Sequence, residues 1–118
     1  VQKLREGGVR VLVISDTPTM GRGPTSCLEW NRHHITDCSV PRLQSEFTNI
    51  ERESAAAGGY FFYDSTDWFC VETCPLVIGN IAVYYDLYHV TRTYGRFLAP
   101  YVDLVVRNAL TSPAPTSP

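Results

Sequence analysis

Asp86 and His89 are the residues whose types and spacing bear most directly on chemistry. They sit in Val83-Tyr84-Tyr85-Asp86-Leu87-Tyr88-His89-Val90-Thr91, which reads as a strand end, a tight turn and then a helix, with Thr91 standing where that helix could begin. On the first turn of a helix, side chains three apart face the same side, with Cβ atoms about 5–6 Å apart. A carboxylate at that distance accepts a hydrogen bond from one imidazole nitrogen and leaves the other as an outward-facing proton acceptor. That is the orienter-and-base half of a nucleophilic triad. The spacing also recurs by chance, and a surface aspartate beside a histidine near a helix start is the plainer alternative.

A triad further needs a nucleophile and donors for the oxyanion. The stretch that comes nearest is Val13-Ile14-Ser15-Asp16-Thr17-Pro18-Thr19-Met20-Gly21, a strand end running into a polar turn. Thr17 would be a poor nucleophile there, because its methyl group crowds attack and no N-terminal amine activates it. Asp16 is expected to shape the turn. Tyr85, Tyr88 and Trp68 lie near the Asp-His pair in sequence and could line a pocket, although aromatic core is the expected description.

The elements that must position these residues follow from patterning. Leu4 to Gly8 reads as a helix tail stopped by two glycines. Val9 to Ile14 is a nearly continuous β-branched apolar run, the pattern of a strand buried on both faces of a parallel sheet. A long loop is expected from Thr19 to about Ser39. Pro41 suits a first helical turn, and Leu43, Phe47, Ile50, Ser54 and Ala57 then fall on one helical face, with Glu46, Glu51 and Glu53 off it. Gly58-Gly59 ends that helix and Tyr60 to Tyr63 forms a short aromatic strand. Strand, helix and strand make a βαβ unit, so the strands 9–14 and 60–63 are expected to pair in parallel through a helix near 42–57. Gly79-Asn80 between two apolar runs predicts a hairpin. Tyr94, Phe97, Leu98, Tyr101, Val105 and Ala109 form the stripe of a helix over 91–110 that covers the sheet, with Pro100 expected to kink it.

The 118 residues carry a net charge of −2 and no basic run, which gives no support to nucleic acid as a partner. No stretch reaches the roughly 18 apolar residues of a membrane span, so direct membrane insertion of this segment is not expected. The chain opens on Val1-Gln2-Lys3-Leu4-Arg5-Glu6 with no signal peptide visible, and is expected to be a piece of something longer. Residues 1–111 are expected to form one domain portion and 112–118 a disordered tail. Cys27, Cys38, Cys70 and Cys74 admit three pairings. The local pairs, Cys27 with Cys38 and Cys70 with Cys74, are the simplest and imply an oxidising compartment. The competing reading is a zinc site of Cys27, His33, His34 and Cys38, although adjacent histidines rarely aim at one ion.

Trp68-Phe69-Cys70, Cys74-Pro75, Val77-Ile78-Gly79-Asn80, Val83-Tyr84-Tyr85-Asp86, His89-Val90-Thr91 and Tyr94 through Leu98-Ala99 occur in a distinctive order. Together they resemble the C-terminal part of the SGNH (GDSL-like) domain attached to bacterial membrane acyltransferases of the acyltransferase-3 family. The resemblance extends over about residues 9 to 110 and is strongest from Trp68 to Ala99. It implies a partial flavodoxin-like α/β three-layer sandwich with parallel strands and a C-terminal helix. It also implies Asp86 and His89 as catalytic residues, in the family's D-x-x-H followed by a hydrophobic residue and Ser or Thr. The family's Gly-Asp-Ser nucleophile block is not in this sequence, and Gly79-Asn80 does not fit the family's oxyanion block in spacing.

The resulting expectation is the C-terminal portion of an extracytoplasmic O-acyltransferase or esterase. It would act on hydroxyls of a cell-envelope glycan or glycolipid and be tethered to the membrane through its parent protein. The serine would come from the remainder of the parent chain, the partners would be an acyl donor and the acceptor, and no cofactor is required. The alternative is a non-catalytic SGNH-like module that binds carbohydrate or serves a structural role.

Overall fold

The computed structural model describes residues 1–42 and 46–116. The chain divides into two compact units, the first from residues 1–16, 44–65 and 100–118, the second from 17–43 and 66–99.

In the first unit, helix α1 (Gln2–Glu6) ends at Gly8, whose φ of 78° lets the Gly8 and Val9 N–H groups turn back onto the Arg5 and Leu4 carbonyls. Strand β1 (Leu12–Ile14) follows. Helix α3 (Glu46–Gly58) closes in the same manner, with Gly59 at φ 62° and the Gly59 and Tyr60 N–H groups on Ala56 and Ala55. It leads into β3 (Phe61–Tyr63), which pairs with β1 in parallel with Leu12 opposite Phe61 and Ile14 opposite Tyr63. The expected strand–helix–strand unit is therefore present. Its strands are only half-buried, because each is an edge of a two-stranded sheet. Past the strands, Ser15 and Ser65 are buried and clamp each other: Ser65 N–H donates to Ser15 Oγ at 2.8 Å, and Ser65 Oγ to the Ser15 carbonyl at 3.1 Å.

Two details of α3 differ from the sequence reading. Pro41 lies in a strand rather than on a helical turn, and Leu43 lies outside the described residues. The apolar stripe also faces the wrong way. Phe47 is 78% exposed and Ile50 52%, while Thr48 and Ala55 are buried. The reason is close packing on β3. Small side chains admit the strand, and Arg52 on the same face lies 5.5 Å from the Phe62 ring and donates to Asp64 at 2.6 Å.

The second unit holds most of the described apolar core: Met20, Phe69, Leu76, Val83, Tyr84, Tyr94, Leu98 and the four cysteines. The expected long loop contains helix α2 (Pro24–Trp30), started by proline, and a 3₁₀ turn at Ile35–Cys38. Cys27 and Cys38 are joined across them at 2.05 Å, and Cys70 and Cys74 at 2.03 Å. Strand β2 (Val40–Pro41) pairs antiparallel with β4 (Thr73–Cys74), and Pro41 fits because a sheet edge tolerates a missing N–H. Strands β5 (Val77–Ile78) and β6 (Ile81–Ala82) form the expected hairpin around Gly79, whose φ of 61° a two-residue turn with glycine first requires. Helix α4 (Arg92–Thr111) continues through Pro100. Within the first unit its C-terminal end is held by Arg10, which donates to the Ala109 and Ser112 carbonyls at 2.8 and 2.6 Å.

Candidate functional site

The Asp86–His89 segment is a loop in the second unit, closed at its base and ending before the helix starts. The β5–β6 hairpin runs on through Val83, whose N–H donates to the Leu76 carbonyl at 2.9 Å, into the core. Tyr84 then bridges Val90 in antiparallel fashion, Tyr85 N–H donates to the His89 carbonyl at 2.7 Å, and Thr91 N–H to the Val83 carbonyl at 2.8 Å. Thr91 is the helix cap: its Oγ1 accepts the Tyr94 N–H at 3.1 Å and donates to the Ala82 carbonyl at 2.6 Å. The first-turn geometry expected for Asp86 and His89 is thus replaced by a bridged loop. The reason is that Asp86 turns the chain itself.

Asp86 Oδ1 accepts the backbone N–H groups of Tyr88 at 2.9 Å and His89 at 2.8 Å. This is the local turn an aspartate makes with the residues just after it. The same carboxylate faces the imidazole, with His89 Nδ1 3.0 Å from Oδ1 and 2.8 Å from Oδ2. A carboxylate only accepts, so Nδ1 carries the proton and Nε2 is the acceptor. The His89 side chain is 76% exposed, leaving Nε2 accessible. These hydrogen bonds hold the Asp86 carboxyl down to about 2, with the Tyr88 N–H the largest contributor, then the His89 side chain, then the His89 N–H. The arrangement joins an ionised carboxylate to the Nδ1 side of an exposed imidazole within one bridged loop.

A strap holds this loop from outside. Thr17 Oγ1 donates to the Tyr88 carbonyl at 2.5 Å, and Met20 N–H donates to the Leu87 carbonyl at 3.1 Å. Sequence reasoning weighed Thr17 as a nucleophile and missed this role, since nothing local to Thr17 signals a partner so distant along the chain. Ser15 is likewise committed to its clamp with Ser65. The aromatic residues divide differently from the expectation of a shared core. Phe69, Tyr84 and Tyr94 are the buried ones, and Tyr94 OH donates to the Trp68 carbonyl. Tyr85 and Tyr88 are 74% and 51% exposed. Burial pushes the Tyr84 phenol well up, with Tyr94 adding to the shift. Cys27 and Cys38 are bonded to each other, so a zinc site would lose two of its four proposed ligands. No group of three or more metal-ligating side chains occurs among the described residues.

The family described as SGNH domain (fused to AT3 domains) matches this chain over residues 1–103. The chain belongs to that family. No curated protein and no solved structure matches it. As an SGNH domain of the kind fused to AT3 domains, it is an acyltransferase-associated module, and hydrolase- or acyltransferase-type chemistry is the setting in which its loop is to be read. Its mixed α/β architecture, with a small parallel sheet and a C-terminal helix, accords with a partial SGNH fold. Among the described residues of this SGNH domain no helix is long and apolar enough to cross a membrane.

Proposed function

We propose that this SGNH domain supplies the orienter and the general base of an O-acyltransferase or esterase, with Asp86 orienting His89 and His89 Nε2 taking the proton of a serine elsewhere in the parent chain. The observation that carries the reading is the Asp86–Nδ1 contact, which sets the tautomer in which Nε2 is the base. His89 would give the serine's proton to the leaving group of the acyl donor as the serine is acylated. It would then take the proton of an attacking hydroxyl of a cell-envelope glycan or glycolipid, or of water, as the acyl group moves to that oxygen, and return the proton to the serine. Exposed Tyr85 and Tyr88 beside the base support a sugar-bearing acceptor, since aromatic faces stack on the apolar faces of sugar rings. The parent would hold the domain on the extracytoplasmic side of the membrane, where the two cystines are stable.

The test compares the 118-residue chain with the parent-length protein on a simple aryl ester. The chain by itself is expected to hydrolyse the ester no faster than its His89→Ala variant, because a base without a nucleophile has nothing to activate. The parent-length protein is expected to be active and to lose roughly 10²–10⁴-fold with His89→Ala, the usual worth of a general base. An active parent indifferent to His89→Ala would sink the proposal. An inactive parent that still binds glycan through Tyr85 would instead favour a module that binds without reacting.

A further inference from the structure

The strap on the Asp86–His89 loop is built unlike an ordinary loop contact. The Leu87 and Tyr88 carbonyls are the two groups it holds, immediately before His89. One strap bond comes from the backbone N–H of Met20, whose side chain is buried in the second unit's core, so the far end of the strap is anchored. The other comes from Thr17, held just ahead of Pro18, whose ring fixes one backbone dihedral and restricts the residue before it. Threonine is stiff at χ1, so its hydroxyl has few other directions in which to point. The Tyr88 and His89 N–H groups are already satisfied by Asp86 from inside the loop. Inner and outer bonds together hold both edges, N–H and C=O, of the Leu87–Tyr88 and Tyr88–His89 peptides.

We propose that Thr17 is a positioning residue for His89: its hydroxyl holds the Tyr88 carbonyl and thereby sets the backbone from which the imidazole projects. This rests on His89 being the base. It also assigns the Thr17 hydroxyl a task other than attack, since its proton is directed at a carbonyl and not at Nε2.

Two measurements test it, one of them independent of activity. In the 118-residue chain, Thr17→Val should speed amide hydrogen exchange at Tyr88 and His89 by about 2- to 10-fold, the worth of one hydrogen bond. Exchange at Leu98 in α4 should be unchanged, and Thr17→Ser should restore most of the protection. In the parent-length protein, Thr17→Val should lower kcat by a similar factor with KM unchanged, and Thr17→Ser should recover it. Unchanged exchange in Thr17→Val, with His89→Ala still abolishing turnover, would overturn the strap and leave the base assignment standing. Faster exchange with turnover indifferent to both Thr17→Val and His89→Ala would overturn the base assignment and the catalytic purpose of the strap with it. Complete loss of turnover in Thr17→Val that Thr17→Ser fails to recover would also overturn the proposal.

Discussion

At the scale of single residues, Asp86 does two jobs with one carboxylate. It closes a turn by accepting two backbone N–H groups, and it fixes the proton of His89 on Nδ1. The consequence is a definite pH dependence. The carboxyl sits at about 2 in the folded chain against an ordinary 3.8. A carboxyl lowered on folding stabilises the structure in its ionised form, so its contribution is complete above the ordinary value and is lost as pH falls through the folded one. Carboxyl ¹³C shifts of Asp86, and the amide shifts of Tyr88 and His89, should therefore titrate together with a midpoint near 2. A midpoint near 3.8 would mean that the turn is not formed in solution. Asp86→Asn in the parent-length protein should lower activity by at least about tenfold, because an amide can present a donor to Nδ1 and so favour the wrong tautomer. Activity unchanged by Asp86→Asn would remove the orienter role.

At the scale of elements, α3 shows how a sequence stripe can mislead. Phe47 and Ile50 fall on one helical face, yet the buried residues are Thr48 and Ala55, and Arg52 is the side chain laid on the Phe62 ring of β3. The strand decides this, because Phe62 takes the guanidinium of Arg52 on its ring and a smaller helix face lets the two elements approach. Phe47→Ser should then change stability by no more than about 0.5 kcal/mol, as for an exposed position away from special features. Ala55→Leu should cost about 1–3 kcal/mol by overpacking a site that is 2% exposed. Urea unfolding of the two variants checks both, and the reverse ranking would restore the stripe as the buried face.

At the scale of the whole molecule, buried apolar residues concentrate in the second unit, where both cystines lie. The Cys27–Cys38 link spans 11 residues and Cys70–Cys74 spans 4, so restriction of the unfolded chain is worth about 3 and about 2 kcal/mol. The Cys27→Ser, Cys38→Ser double variant should lose about 3 kcal/mol in urea unfolding. Without reductant, the intact mass should fall short of the fully reduced chain by four hydrogen atoms, two for each link. A mass equal to the reduced chain would overturn the pairing and the inference of an oxidising compartment.

What was legible in the sequence was short in range. Gly8, Gly59 and Gly79 mark helix ends and a turn, because a positive φ is a local demand. The cysteine pairs close loops of a few residues, and Asp86 and His89 are three apart, so their meeting depends on one turn of backbone. Parallel pairing of β1 with β3 followed from a helix of the right length between them. The inward face of α3, the pairing of β2 with β4 and the Thr17–Tyr88 strap were not legible. Each depends on which distant surface a segment meets, and the strap joins residues 71 apart along the chain. Local hydrogen bonding and backbone sterics act within a few residues and leave a signature there. Contacts across such separations depend on how segments far apart in the chain pack, and so the tertiary structure alone decides how the Asp86–His89 loop is held.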